Sequence, residues 1–123
     1  MIDKAILHMP SVYNVIEEAH NFEIACKIDS WSSNFTVKWL QVNAKNESTT
    51  IRRSIDSSYQ MDTNSTHSVL KIVKVNKSLH NYKFKCIVNT IAYSVYDELV
   101  KYESIRATDL NVLCKLYFLN CLF

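Results

Sequence analysis

Three residues constrain this chain more than any others: Cys26, Trp39 and Cys86, each set in a run where apolar and polar positions trade places. The runs read Phe22-Glu-Ile24-Ala-Cys26-Lys-Ile28, Phe35-Thr-Val37-Lys-Trp39 and Tyr82-Lys-Phe84-Lys-Cys86-Ile-Val88. Alternation at period two marks strands with one face in a core and the other in water. Both cysteines and the tryptophan fall on the buried parity of their own strand. A cysteine pair on inward faces, with a tryptophan on an intervening strand, describes two packed sheets bridged by a disulfide that lies against an indole.

The rest of the chain extends this pattern. Pro10 to Ile16 reads as an opening strand A, and Glu17 to Asn21 as the turn into strand B, Phe22 to Ile28. After a turn at Asp29 to Ser33 comes strand C, Phe35 to Val42. The polar stretch Asn43 to Thr66 holds short candidates at Thr50 to Ile55 (C′) and Ser58 to Met61 (D). Strand E is Val69 to Val75, with Leu70 and Ile72 pointing inward. Strand F is Tyr82 to Asn89, and strand G is Tyr93 to Tyr102, bulged where its alternation slips near Asp97. Seven or eight short strands separated by turn residues fit an all-β Greek-key sandwich of the immunoglobulin-like type. Its single intersheet disulfide then joins Cys26 on B to Cys86 on F, against Trp39 on C.

At 123 residues the chain suits one domain. The reading divides it into an N-terminal lead (1–9), the sandwich (10–105) and a cysteine-containing tail (106–123). The tail is apolar from Leu110 to Phe123 apart from Lys115, and falls short of the roughly 20 residues a membrane span needs. Its Cys114 and Cys121 have no obvious partner inside a completed sandwich. They are candidates for a bond to each other or for an intermolecular disulfide that makes a homodimer.

The chain holds no Gly and a single Pro. Its turns must rely on Asn, Asp and Ser, of which Asn is plentiful. Enrichment in Asn, Lys, Ile and Tyr is what AT-rich codons produce. A net charge of +2 is too small to suggest nucleic acid, and Lys71, Lys74, Lys77, Lys83 and Lys85 read as the solvent faces of strands.

No enzyme chemistry is framed. His8, His20, His67 and His80 lie at no metal-ligand spacing, and a Gly-rich phosphate loop is excluded without Gly. Ser and Asp are abundant, but no nucleophile motif surrounds them. No metal or other cofactor is expected, and function by elimination lies in a surface that binds something. Sequons at Asn34, Asn46, Asn64 and Asn76 fall near strand ends or loops, where glycans are tolerated. With a buried disulfide they point to an oxidising, secretory compartment. Met1 to Pro10 has one apolar patch, Ala5 to Leu7, too short for a signal peptide, so the chain reads as a mature form or one with its start displaced.

A more specific signal lies in strands E and F. Most immunoglobulin domains carry Asp-x-Gly-x-Tyr-x-Cys before the second cysteine; here Asp and Gly are absent and Phe84 replaces the tyrosine. The Leu79-His80 turn, the Phe84-x-Cys86 strand and Asn34-Phe35-Thr-Val-Lys-Trp39-Leu40 resemble the interleukin-18-binding proteins, especially the poxviral ones. The resemblance spans roughly residues 22 to 102, and the AT-rich coding bias agrees with such a source.

That resemblance implies a secreted decoy that captures host interleukin-18 and blocks its receptor, a device of viral immune evasion. The family holds the cytokine on the sheet containing C and C′, with aromatic side chains inserted into apolar pockets. Counted from Trp39, the family's aromatic before the tryptophan is Lys38 here. Its C′ phenylalanine is Ile51, followed by Arg52 and Arg53 where the family tends to be acidic. Kept in this form, the binding mode makes Ile51 fill the main pocket, with Phe35 or Tyr59 supplying lost aromatic contact. Lys38 and Ile51 are the surface candidates, whereas Phe35 shares the inward parity of Val37 and Trp39. The family's second internal disulfide is missing. The alternative is an immunoglobulin module of a cytokine receptor, of the interleukin-1-receptor type, or of an adhesion protein.

Overall fold

In the computed structural model, which describes residues 5–30, 34–52, 58–93, 96 and 99–114, the alternating runs form nine strands in two sheets. One sheet has four strands in the order β1 (Ile6–His8), β3 (His20–Asp29), β7 (His67–Lys74), β6 (Tyr59–Thr63). The other has five, in the order β2 (Val12–Ile16), β9 (Leu99–Leu113), β8 (Lys83–Tyr93), β4 (Phe35–Val42), β5 (Ser48–Thr50). Neighbours run antiparallel except β2 with β9, which are parallel. The crossovers between sheets give a Greek-key sandwich.

The core is the inward parity of these strands. Ile24, Cys26, Ile28, Leu70 and Ile72 meet Trp39, Phe84, Cys86, Val88, Leu110 and Val112, all buried. Each such aliphatic or aromatic side chain stabilises the fold by about 1.5–3 kcal/mol relative to exposure. Cys26 and Cys86 are disulfide-bonded across the sandwich, 60 residues apart in sequence. Beside them the Trp39 indole N–H donates to Ser68 Oγ at 2.9 Å. Ser68 lies opposite Cys26 in the β3–β7 ladder, and its hydroxyl also bonds Thr63 Oγ1 at 2.8 Å. A polar tie between the sheets thus runs alongside the covalent one.

Turns are made without glycine. Among the described residues, those with positive φ are Glu18, Asn21, Asn46 and Asn81, so Asn takes three of these four left-handed positions. Its short side chain tolerates that conformation better than most.

Three expectations are corrected. The expected strand A is β2, but a further strand, β1, precedes it in the stretch read as a lead; Pro10, which lacks an N–H, separates the two and lets the chain cross from one sheet to the other. Strand F runs on to Tyr93, so Tyr93 to Tyr102 is not one strand; G is β9, which continues to Leu113 and takes 106–113 out of the tail. β9 was obscured because its inward residues include Ser104, Arg106 and Thr108, while Ile105 points outward. Among the described residues C′ is Ser48–Thr50, starting earlier than the expected Thr50 to Ile55, of which residues 53–55 lie outside the described residues.

The turn before β8 is held by a histidine. A single 3-10 turn, Lys77–Leu79, leads to His80, whose Nδ1 accepts from the Val112 N–H at 3.0 Å. Asn81 N–H donates to Leu110 O (2.9 Å) and Leu110 N–H to Tyr82 O (2.8 Å). With Phe84 lacking a hydroxyl, His80 anchors this corner to β9.

Candidate binding face

Residues of opposite parity to Trp39 and Cys86 form the outer face of the five-stranded sheet. Two rows cross it by register: Lys38, Ile87, Ile105, and Thr50, Leu40, Lys85, Ala107. Leu40 is half-buried, Ile87 is buried and Ile105 is 52% exposed, so an apolar diagonal runs over β4, β8 and β9. Lys38 and Lys85 flank it, presenting aliphatic stems beside the diagonal and charges at its margin. Further along, Lys83 faces Asp109 at 3.9 Å, both half exposed. Such an exposed pair contributes little to stability.

Only part of the residue set expected from the sequence lies here. Lys38 is exposed on the outer face of β4, and Arg52 is exposed just beyond β5. Ile51, expected at the surface, is 6% exposed in the core. Its N–H donates to Trp39 O at 3.0 Å, which continues the β4–β5 alignment by one residue. Directly opposed strand residues share a face, so Ile51 turns inward with Trp39. Tyr59 belongs to the other sheet and is also buried. Its hydroxyl donates to Gln41 Oε1 at 2.7 Å, and its ring packs edge-on to Phe84 with centroids 6.0 Å apart. Phe35 is half-buried against the core, as its parity required. Arg53 lies outside the described residues.

Leu40, Ile87 and Ile105 are not singled out in the sequence, and Lys85 is read there only as a solvent-face lysine, although the alternation that turns Trp39 and Cys86 inward assigns Leu40, Lys85 and Ile87 to the outer face. Ile105 could not be found that way, because its strand was not recognised.

The four sequon asparagines, Asn34, Asn46, Asn64 and Asn76, are all exposed. Asn64 is ordered by its own turn, its Oδ1 accepting from the N–H groups of Thr66 (2.9 Å) and His67 (2.8 Å). Cys114 is disulfide-bonded; its partner lies outside the described residues, as does Cys121. Among the described residues, no three His, Cys, Asp or Glu side chains gather to hold a metal, and no helix is long and apolar enough to cross a membrane.

No protein-family model matches the sequence, and no curated protein matches it. Solved structures do. Murine CRIg superposes with a TM-score of 0.65 at 16% identity, over 90% of this chain and 99% of that one. A chain from a structure on T-cell specificity and activation by the bacterial superantigen toxic shock syndrome toxin-1 gives 0.65 at 16% identity, over 89% and 100%. A chain from the structure of titin domains z1z2 in complex with telethonin gives 0.62 at 13% identity, over 94% of this chain and 50% of that one. These likenesses concern the fold, and with the two sheets and the Cys26–Cys86 bond they make it an immunoglobulin-like sandwich.

Proposed function

We propose that this domain is a secreted decoy that captures host interleukin-18 on the outer face of its five-stranded sheet and blocks receptor engagement. The observation that carries the binding role is the diagonal Leu40, Ile87 and Ile105, flanked by Lys38 and Lys85. An apolar strip with a charged margin has the anatomy of a protein-binding patch. The choice of cytokine rests on the resemblance of strands C, E and F to the interleukin-18-binding proteins. The Cys26–Cys86 bond supports maturation in an oxidising compartment.

The mode differs from aromatic insertion. With Ile51 and Tyr59 in the core, contact falls to Leu40 and Ile105, with the buried Ile87 as the apolar floor between them, and Lys38 and Arg52 favour an acidic margin on the partner. The alternative reading, an immunoglobulin module of a cytokine receptor or adhesion protein, is supported by the fold it shares with the solved domains.

Surface plasmon resonance of the oxidised domain against interleukin-18, with interleukin-1β as control, tests the decoy reading. Nanomolar binding to the first alone is expected, weakened about tenfold or more by Lys38→Glu at unchanged melting temperature. Absence of interleukin-18 binding refutes it and leaves the module reading.

A further inference from the structure

The strand β9 is paired unequally on its two edges. Toward β8 it is paired at every residue from Leu99 to Asp109, without a bulge. Toward β2 it is paired only from Asp109 to Leu113. Among the described residues, no strand pairs with the second edge between Leu99 and Thr108. β1 approaches without joining it: the Ser104 hydroxyl donates to Ala5 O, and Arg106 Nε–H to Leu7 O at 3.1 Å. An open groove of about 470 Å³ remains there, lined by Ala5, Ile6, Leu7, Ser104, Ile105 and their neighbours.

The direction of the free backbone groups follows from two bonds. Asp109 N–H donates to Ser11 O, on the β2 side, and Leu110 N–H donates to Tyr82 O, on the β8 side. Successive residues of a strand aim these groups to opposite edges, so the odd-numbered residues of β9 present N–H and C=O to the open edge. Leu99, Lys101, Glu103, Ile105 and Ala107 are those residues, and their side chains are all exposed.

We propose that this edge pairs antiparallel with the same edge of a second copy of the chain, about a two-fold axis at Tyr102. That register sets Lys101 opposite the second copy's Glu103 and Leu99 opposite its Ile105, each contact occurring twice by symmetry. All four are odd-to-odd pairs, as the hydrogen-bonded positions of an antiparallel ladder require. Moving the axis to Lys101 or to Glu103 keeps the parity but sets like charges directly opposite, which is destabilising. Moving it to Ser104 leaves both charges without a counter-ion, opposite Ala107 and Ile105. Charge complementarity therefore selects a single register and a second copy as occupant. The two five-stranded sheets become one continuous sheet.

Sedimentation velocity on the full oxidised chain, from roughly 1 to 100 µM, tests this independently of any cytokine. The expected result is a reversible dimer that runs as a monomer on non-reducing electrophoresis. Glu103→Lys and Lys101→Glu should each weaken it about tenfold, and the double variant should restore it to within about threefold of the parent. Both side chains are exposed, so circular dichroism should be unchanged in all three. A monomer throughout the range overturns the proposal. So does a dimer indifferent to either reversal, or one held only by a disulfide.

Discussion

Replacing Ser68 by alanine removes one oxygen and is expected to cost far more than a typical change of that size. Ser68 and Trp39 are 0% and 1% exposed, and the indole N–H has the Ser68 hydroxyl as its acceptor at 2.9 Å. In Ser68→Ala that N–H stays buried beside the Cys26–Cys86 bond with no acceptor. Orphaning a buried donor costs about 1–3 kcal/mol. Thr63, which also bonds the Ser68 hydroxyl, is exposed and turns to water at little cost. For a domain of this length, 2 kcal/mol corresponds to a melting temperature lowered by about 6–10 °C. Guanidinium unfolding of the oxidised protein, followed by far-ultraviolet circular dichroism, should show the midpoint fall at unchanged slope. A double-mutant cycle isolates the cause. Trp39→Phe removes the donor, so adding Ser68→Ala to it should cost under about 0.5 kcal/mol. If Ser68→Ala lies within that margin of the parent, or the two changes add, the hydrogen bond is not what holds this corner.

Other substitutions separate core from surface. Ile51→Ala should destabilise by about 2–4 kcal/mol, because its side chain is buried opposite Trp39; thermal melting decides between this and the surface role expected from the sequence. His80→Ala removes the acceptor of the half-buried Val112 N–H and should cost about 1–2 kcal/mol, with amide exchange accelerating at Val112 and Leu110. Thr108 Oγ1 is buried without a hydrogen-bond partner, so Thr108→Val should raise stability by up to about 1 kcal/mol in the same denaturant assay.

The strands that could be read from the sequence are those whose inward positions are filled by apolar side chains. Ile24, Cys26 and Ile28 on β3, Leu70 and Ile72 on β7, and Phe84, Cys86 and Val88 on β8 keep one phase and declare it. β9 hides its phase, since Ser104, Arg106 and Thr108 occupy inward positions in its middle while Ile105 is exposed. Arg106 can face inward because it lies at the sandwich margin, where its Nε–H reaches Leu7 O. A sequence carries no mark of that margin, so an arginine in phase reads as the end of a strand. The inward turn of Ile51 was hidden for a different reason. β5 has three residues, too few to show a period, and its orientation is set by pairing with β4. Tyr59 needed knowledge of which sheet its strand joins. The outer face at Lys38, Leu40, Lys85 and Ile87 was legible as soon as Trp39 and Cys86 fixed the parity.

The parallel pairing of β2 with β9 also decides how the domain carries a mechanical load. β2 begins at Val12, opposite Asp109, and β9 ends at Leu113, opposite Ile16. A pull on the two chain ends therefore draws the paired strands past one another along their length. The hydrogen bonds of all five residue pairs are strained together and must give way together. Antiparallel neighbours pulled from a shared end would instead open one bond at a time, like a zip. β1 lies between the N-terminus and this ladder and is held by three residue pairs to β3 and two side-chain bonds to β9, a shorter ladder than β2–β9, so it peels first. Under tension the domain should lengthen slightly at low force, then hold until the β2–β9 ladder shears.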